Sequence, residues 1–377
     1  MIQSPGILLT ILAFVLVLGP LVFLHELGHY LAGRWFGVKA EEFSIGFGRE
    51  VAGFTDKRGT RWKFGWLPLG GYVRFAGDMN PASQPSPEWL SLPPKERAQT
   101  FQAKSLWQRA IIVAAGPIMN FLVAIAILSA FAVAYGKLVT PPVIGSVAPK
   151  SAAESAGLKA GDRILSLNGR QVDDFIDIGV FSMIRSGETV SIEYQRGGQT
   201  AQTSATIGSI TEKDRFGNIT HRGVLGIGRV SSEIRPVALW EAPGEGIKQT
   251  IGIVKTTIEG LQRIILGRIP VSELGGPLKI AKVSGEFLSM GPVQLVYLIA
   301  LISINLGFIN LLPVPVLDGG HLLFYAVEAV RRRPVEPQVM EWAYRGGLIA
   351  ILALMLFVTF NDLGTFGVWR NLAGLIG

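Results

Sequence analysis

The sequence predicts a polytopic α-helical membrane protein with about four transmembrane helices, an inserted α+β domain and a membrane-associated β-hairpin. Hydrophobic residues make up 49% of the 377 positions, and the mean hydropathy is +0.39, values typical of a chain that crosses a bilayer several times. The apolar runs near residues 7–24, 110–135, 293–312 and 346–359 are each of membrane-spanning character. Between the second and third runs, residues 140–230 alternate strand-like pieces with turns such as Asn168-Gly169.

These patterns divide the chain into consecutive segments. The predicted order is a first transmembrane helix (1–36), a cytoplasmic loop with the β-hairpin (37–105), a second transmembrane helix (106–136), the inserted α+β domain (137–230), an amphipathic region (231–290), a third transmembrane segment (291–330), and a basic turn with the fourth helix (331–377). The amphipathic region carries isoleucines and leucines at helical spacing with interleaved lysines, which favours a helix on a membrane surface or on a partner.

Charge and cysteine content narrow the function classes. The net charge is +7, and in a membrane protein such an excess serves orientation and contact with lipid headgroups rather than nucleic acid. The chain has no cysteine, which excludes a disulfide framework, a thiol nucleophile and thiolate metal ligands. Residues 1–24 contain no Lys or Arg, so we expect the first apolar run to be a retained helix rather than a signal peptide.

The first apolar run ends in His25-Glu26-Leu27-Gly28-His29. Residues four apart share one face of a helix, so both imidazoles can bind the same Zn²⁺, and Glu26 is placed to act as a general base. Short motifs also arise by chance. Ionisable side chains at mid-membrane, however, each cost about 2.5–3.5 kcal/mol on insertion scales, and a metal ion is a partner that offsets this cost.

Zinc in catalytic sites has three protein ligands, so the two histidines need a third. Asp318 is the best candidate, because it lies in an apolar segment beside glycines. Pro313 and Pro315 prevent a regular helix there, so we expect Asp318 on irregular backbone that lines a cavity. Two alternatives stay open: Asp318 as a helix cap, and His321 as a rival ligand.

Two further stretches interrupt the expected pattern. Residues 61–75 alternate aromatic and basic side chains around a Pro/Gly turn, which predicts a β-hairpin or short sheet; a membrane-associated position and an ordinary soluble hairpin are both open. Gly116-Pro117 and Asn120 interrupt the second span, either as a kink with a satisfied amide or as part of a polar site.

Taken together, these motifs resemble the site-2 protease family of intramembrane zinc metalloproteases, in its regulator of sigma-E protease branch. His25-Glu26-Leu27-Gly28-His29 resembles its zinc motif, and Leu317-Asp318-Gly319-Gly320 preceded by Asn310-Leu311-Leu312-Pro313 resembles its third-ligand motif. Gly116-Pro117 with Asn120, and Leu67-Pro68-Leu69-Gly70-Gly71-Tyr72-Val73, are similar to its second-span motif and its membrane-associated hairpin. The inserted domain is similar to a PDZ domain through Val143–Val147, Ala156–Leu165 and Asn168-Gly169, with room for one such domain rather than a tandem pair.

The resemblance implies a zinc endopeptidase that cleaves single-pass membrane substrates, of the anti-sigma factor or remnant signal peptide type, in regulated intramembrane proteolysis. It implies His25, His29 and Asp318 as zinc ligands and Glu26 as the catalytic base. Strand pairing of the substrate with the 61–75 hairpin is expected to involve Phe64, Gly70, Gly71 and Tyr72, with Asn310 bonding unwound backbone.

The implied location is the bacterial cytoplasmic (inner) membrane. The basic residues of 37–105 and 331–345 predict that both segments are cytoplasmic, which puts the PDZ-like domain on the extracytoplasmic side, where a peptide ligand is a candidate partner. Two other functions remain open at this point: a membrane metal-binding or zinc transport protein, and a PDZ scaffold with a structural metal. The position of Glu26 between the histidines argues against both.

Overall fold

The computed structural model describes residues 6–77, 92–213, 219–231, 233–267 and 275–365, so the outermost residues of the first and last predicted segments lie outside it. The helices are α1 Ile7–Trp35, α2 Pro94–Arg97, α3 Leu106–Tyr135, α4 Ala152–Ser155, α5 Phe175–Met183, α6 Ala242–Ile265, α7 Pro277–Met290, α8 Pro292–Asn310, α9 Asp318–Arg331 and α10 Pro337–Thr365. The strands are β1 Ala40–Thr55, β2 Arg61–Phe75, β3 Lys137–Val139, β4 Ile144–Val147, β5 Arg163–Leu167, β6 Arg170–Gln171, β7 Thr189–Arg196, β8 Gln199–Thr206, β9 Gly208–Lys213, β10 Ile219–Val224, β11 Ile227–Arg229 and β12 Glu233–Arg235.

The chain forms two compact units. Of the described residues, those within 6–129 and 243–363 form the membrane unit, and those within 130–242 form the inserted unit. Within the described residues, four helices are long and apolar enough to cross a bilayer: α1, α3, α8 and α10. The protein is therefore a multi-pass membrane protein.

The third predicted transmembrane segment, 291–330, contains two helices separated by an irregular stretch. Helix α8 ends at Asn310, residues 311–317 are irregular, and α9 begins at Asp318. Pro313 and Pro315 account for the break, because proline cannot continue the hydrogen-bond ladder. The expectation that Asp318 lies on irregular backbone is wrong by one residue: Leu317 is the helix cap, and Asp318 is the first helical residue.

The stretch 61–75 is a strand, as the alternation predicted, but it does not fold back on itself at Gly70-Gly71. Its partner is β1, and the hairpin turn lies at residues 56–60. Phe43 pairs with both Trp62 and Val73, so the first half of β1 lies between two segments of β2. The second half of β1 pairs with residues 61–65 of β2. Partner choice depends on the residues of β1, which the local pattern of 61–75 does not contain.

Two aromatic residues of α1 and β1 attach this sheet to the first span. Phe43 is fully buried and stacks on Trp62 at 4.3 Å between ring centroids, and Tyr30 of α1 meets both rings edge-on. A carboxylate fixes the turn: Asp56 accepts hydrogen bonds from the Tyr30 hydroxyl and the Trp62 indole. The sheet is therefore fixed to the C-terminal half of α1, the half that carries the histidines.

The inserted unit has its own core. Strands β6-β5-β7-β8 form one sheet, and β4 pairs with β11. Ile144, Ile164, Ile178 and Ile192 are buried together. Asp162 and Arg196 form a two-pronged ion pair at 2.6 and 2.7 Å. Burial acts to raise the pKa of the Asp162 carboxyl. The hydrogen bonds from Arg196 and from the Lys159 amide, together with the positive charge of Arg196, outweigh burial and hold that pKa below its ordinary value.

Candidate metal centre and active site

The imidazole rings of His25 and His29 on α1 turn their Nε2 atoms toward each other. Both lie on one face of the helix, one turn apart, and their Nε2 atoms are 3.2 Å apart. Their rings are nearly perpendicular, which aims the two nitrogens at a common point rather than stacking the faces. His25 is buried, and His29 is half-buried.

Asp318 completes the cluster from the far end of the sequence. Its Oδ2 lies 3.2 Å from Nε2 of His25 and 3.5 Å from Nε2 of His29. The two glycines after it make this approach possible. A Cβ on Gly319 would meet the Leu312 carbonyl at 2.2 Å, and one on Gly320 would meet the Val314 carbonyl at 2.4 Å. The start of α9 can therefore fold tightly against the preceding irregular segment only with glycine at both positions.

The spacing of these three atoms fits a metal ion. Tetrahedral ligand atoms at about 2.0–2.1 Å from one zinc ion lie roughly 3.3 Å from each other. The nitrogen–nitrogen and the two oxygen–nitrogen separations here are 3.2, 3.2 and 3.5 Å. Among the described residues this is the cluster of His, Asp and Glu side chains that could hold a metal ion, and its ligand atoms all lie within 4.8 Å.

The hydrogen bonds behind the histidines set which nitrogen faces the cluster. Nδ1 of His29 lies 2.9 Å from the Ile112 backbone carbonyl of α3, which can only accept a hydrogen bond. Nδ1 therefore carries a hydrogen, and in the neutral imidazole the lone pair of Nε2 then points at His25 and Asp318. Inward lone pairs facing a carboxylate repel each other unless a cation lies among them, so the tautomer also fits a metal.

Asn120 contacts Nδ1 of His25, just as the Ile112 carbonyl contacts Nδ1 of His29. Its Nδ2 lies 3.1 Å from Nδ1 of His25, while its Oδ1 is buried with no hydrogen-bond partner within the described structure. A half-turn of the amide exchanges the two atoms, gives Oδ1 a donor in His25 Nδ1–H, and leaves the His25 Nε2 lone pair facing inward. With the amide in that orientation, His25 takes the same tautomer as His29. The Ser303 hydroxyl of α8 donates to the backbone carbonyl of Asn120 at 2.7 Å and links this position to the third span.

Close contact of α1 with α3 depends on two glycines. A Cβ on Gly28 would come within 2.4 Å of the Ala115 carbonyl, and a Cβ on Gly116 would lie 2.2 Å from Nε2 of His29. Any side chain at Gly116 would displace the imidazole. The Gly116-Pro117 pair is therefore a packing requirement of the histidine site as well as an interruption of the span.

Glu26 lies beside the cluster and outside it. It is buried, one residue after His25 on α1, so it projects from a different face of the helix. A Cβ on Gly71 of β2 would lie 3.0 Å from Cγ of Glu26, so the strand passes directly against this side chain. The Glu26 side chain therefore packs against the Gly71 position of β2.

The remaining predicted site residues lie at different distances from this centre. Asn310, the last residue of α8, has Nδ2 3.5 Å from Nε2 of His25. Gly71 and Tyr72 belong to the 71–75 segment of β2, which has described pairing partners on one side only. Gly70 packs on the Phe47 ring. The role expected for Phe64 is wrong, because its backbone already pairs with Ile45 and with Ala52 and has no free edge for an added strand.

His321, the rival ligand, faces away from the cluster. It is buried, and its Nε2 lies 2.5 Å from the hydroxyl of Tyr344 on α10. Three residues along a helix from Asp318, it connects α9 to the fourth span.

Sequence reasoning gave no role to the Ile112 carbonyl, and left Asn120 undecided between a kink and a polar site. The Ile112 carbonyl is a backbone group and leaves no signal in the side-chain pattern. Asn120 did leave a signal: an amide in an apolar span is costly unless it has a partner. What the sequence lacked was the identity of that partner, which is on another helix.

The fold and the site define a multi-pass helical membrane protein with a partly buried His-His-Asp cluster that could hold a metal ion and with an adjacent buried glutamate. The family model for peptidase family M50 matches residues 13–354, and the chain belongs to that family. It is a metalloprotease.

Named relatives agree with this assignment. "Putative zinc metalloprotease Atu1380" of Agrobacterium fabrum is 42% identical over 94% of this chain and 96% of its own. Metalloprotease MmpA of Caulobacter vibrioides is 35% identical over 98% of this chain and 99% of its own. Among solved structures, the PDZ domain of the SdrC-like protein Lmo2051 from Listeria monocytogenes matches 23% of this chain and 85% of its own, with 24% identity and a TM-score of 0.19.

Proposed function

We propose that this protein is a zinc-dependent intramembrane endopeptidase that cleaves single-pass membrane proteins. One observation carries the proposal: three ligand atoms, from His25 and His29 of a membrane-spanning helix and from Asp318, meet within 4.8 Å beside a buried glutamate. The names of the relatives support zinc as the metal. Four apolar spans put this chemistry in a lipid setting, where the accessible polypeptides are other membrane segments.

The residues divide the reaction between them. His25, His29 and Asp318 would hold Zn²⁺, which when bound supplies Lewis acidity that polarises a carbonyl group and lowers the pKa of water. Glu26 accepts a proton from the attacking water molecule as the water oxygen bonds to the peptide carbon. Glu26 then returns that proton to the leaving nitrogen as the C–N bond breaks, so no net proton is consumed.

Strand β2 and Asn310 hold the substrate backbone near the cluster. A helical substrate hides its carbonyl groups in hydrogen bonds, so it must unwind near the cluster. The segment 71–75 runs past Glu26 and has pairing partners on one side, which suits the addition of a substrate strand at its other edge. The Asn310 side chain, 3.5 Å from His25, is placed to bond the unwound backbone.

The biological setting belongs to the same proposal. We place the protein in the bacterial cytoplasmic membrane, with the inserted PDZ-like unit on the extracytoplasmic side and available for a peptide ligand. Substrates of the anti-sigma factor or remnant signal peptide type, cut during regulated intramembrane proteolysis, fit a site that acts on single spans. The bacterial origin of the relatives and the basic residues of segments 37–105 and 331–345 support this setting.

The test is cleavage of a model single-pass substrate by wild type and by Glu26→Gln in reconstituted vesicles. Loss of proton transfer should lower the cleavage rate by about a hundredfold or more. Zinc content of the two proteins is measured in parallel, because Glu26 is assigned no ligand role and its loss should leave the metal in place. Cleavage by Glu26→Gln at the wild-type rate would exclude the general-base role. Absence of cleavage by the zinc-loaded wild type would instead favour metal storage or transport.

A further inference from the structure

A basic cavity lies at the C-terminal end of α1, and it shares no lining residue with the metal cluster. Its volume is about 420 Å³, within the size range of small-molecule sites, and it is lined by Arg34, Gly37, Val38, Lys39, Arg58 and Gln99. Three of these side chains are cationic, and none of the lining residues, all from the described chain, is acidic. We propose that this cavity binds the phosphate headgroup of an anionic membrane lipid.

The end of α1 is folded to bring two of the cations together. Gly37 has a φ of 70°, which glycine adopts without strain. The Gly37 amide donates to the Arg34 carbonyl at 3.0 Å, and the Val38 amide donates to the Gly33 carbonyl at 2.8 Å. This pairing is the Schellman helix ending, and it satisfies carbonyls that would otherwise attract the nearby cations. The chain then reverses, and Lys39 joins Arg34 at the cavity.

The third cation comes from the turn between β1 and β2. Tyr30 lies one helical turn before Arg34 on the same face of α1, and its hydroxyl donates to Asp56 at 3.4 Å. That contact brings the turn, and with it Arg58, beside Arg34. Asp56 itself accepts further bonds from the backbone amides of Arg58 and Thr60 and from the Trp62 indole. The carboxylate nearest in sequence to Arg58 is thus engaged within its own turn.

The surroundings place the cavity at the level of lipid headgroups. Trp35 is 87% exposed at the last residue of the first span, and Trp107 is 58% exposed at the start of α3. Phe36 packs edge-on against Trp107 at 5.3 Å, so these two helix ends lie at one level. Exposed tryptophans at span ends mark the membrane–water boundary, where basic pockets beside transmembrane helices bind phospholipid headgroups.

The guanidinium groups suit a phosphodiester in particular. Arg34 and Arg58 can each give two parallel N–H···O bonds to phosphate, while Lys39 adds a point charge. An occupant held there would fix the depth of α1, and Arg34 lies only five residues after His29. The inference is independent of the proposed proteolysis, because it concerns lipid binding alone.

The experiment is native mass spectrometry of the full-length protein released from nanodiscs of phosphatidylcholine doped with phosphatidylglycerol. Wild type is compared with the triple variant Arg34→Gln/Lys39→Gln/Arg58→Gln. The matched control is Arg331→Gln/Arg332→Gln/Arg333→Gln, which removes the same charge from an exposed turn outside the cavity. We expect a retained phosphatidylglycerol on wild type and control, with apparent affinity roughly tenfold or more lower in the cavity variant.

Two further measurements control for misfolded variants and for binding of free phosphate. Thermal melting checks that each variant is folded, and the single variants Arg34→Gln and Arg58→Gln, each expected to lose part of the affinity, replace the triple variant if it is not. Inorganic phosphate is titrated against wild type in detergent. Retention of lipid by the cavity variants, an equal loss in the control, or phosphate binding as tight as that of the lipid would overturn the proposal.

Discussion

At the scale of single residues, the amide of Asn120 decides which nitrogen of His25 faces the other ligands. A histidine that binds a metal through Nε2 needs an acceptor at Nδ1, and the buried Oδ1 of Asn120 can supply it. For His29, the Ile112 carbonyl is the corresponding acceptor at Nδ1. Both imidazoles are therefore oriented from α3, and the ligand set depends on the first and second spans together.

This role leads to a contrast between two substitutions. Asn120→Asp keeps an acceptor for His25 Nδ1–H, so zinc affinity should stay close to that of wild type. Asn120→Ala removes the acceptor and should lower zinc affinity roughly 10–100-fold. Competition with a chelator of known affinity measures both. If the Asp variant loses as much affinity as the Ala variant, the amide acts as a donor and the tautomer assigned to His25 is incorrect.

The three residues of the candidate ligand set could be singled out from their residue types, whereas the contacts that orient them could not. His25, His29 and Asp318 stand out because ionisable groups in apolar segments need partners. Asn120 stands out for the same reason, but its partner lies 95 positions earlier in the chain. Gly116 looked like a helix interruption, and only the packed structure shows that a Cβ there would meet His29. Such contacts depend on which helices pack together, which periodicity does not encode.

At the scale of secondary-structure elements, the β1–β2 sheet is the part where local pattern and structure diverge most. The 61–75 stretch was correctly predicted as strand, and wrongly predicted to pair with itself. Its segment 61–64 is an inner strand, and the outer segments are 50–55 and 71–75. A glycine-rich turn favours a local hairpin, but β1 supplies the buried Phe43 and an aromatic stack with Trp62, and this packing decides the register.

The two outer segments allow a direct test of substrate pairing. The native chain has no cysteine, so one can be introduced at Tyr72 on the segment beside Glu26, or at Phe54 on the opposite segment. With Glu26→Gln to keep the substrate intact, and a substrate with one cysteine near the scissile bond, Tyr72→Cys should form a disulfide-linked complex and Phe54→Cys should not. Non-reducing electrophoresis reads out the result. Equal cross-linking of both would rule out pairing at the 71–75 edge.

At the scale of the whole molecule, four spans and one inserted unit set the membrane topology. The spans were visible in the sequence because long apolar runs have few alternatives to membrane insertion. The break between α8 and α9 was also visible, through Pro313 and Pro315, although the helix starts one residue earlier than expected. The side of the membrane on which a loop lies depends on its flanking charge, so the cytoplasmic location of segments 37–105 and 331–345 stays a prediction from their basic residues.

Cysteine labelling tests this topology. Ser204 lies exposed on β8 of the inserted unit, and Arg333 lies exposed in the basic turn before α10. In intact spheroplasts an impermeant maleimide should label Ser204→Cys, while Arg333→Cys should be labelled only after lysis. The two variants serve as controls for each other. The reverse pattern would place the inserted unit in the cytoplasm and would require that any partner of that unit be cytoplasmic.

The most direct test of the metal centre is zinc stoichiometry by elemental analysis of purified full-length variants. Wild type and Glu26→Gln should each contain about one Zn²⁺ per chain, because three ligand atoms converge on one point and Glu26 is not among them. His25→Ala, His29→Ala and Asp318→Ala should each lose most of the metal, since each leaves only two protein ligands. Full zinc occupancy in Asp318→Ala, or loss of zinc in Glu26→Gln, would contradict the assignment of His25, His29 and Asp318 as the ligand set.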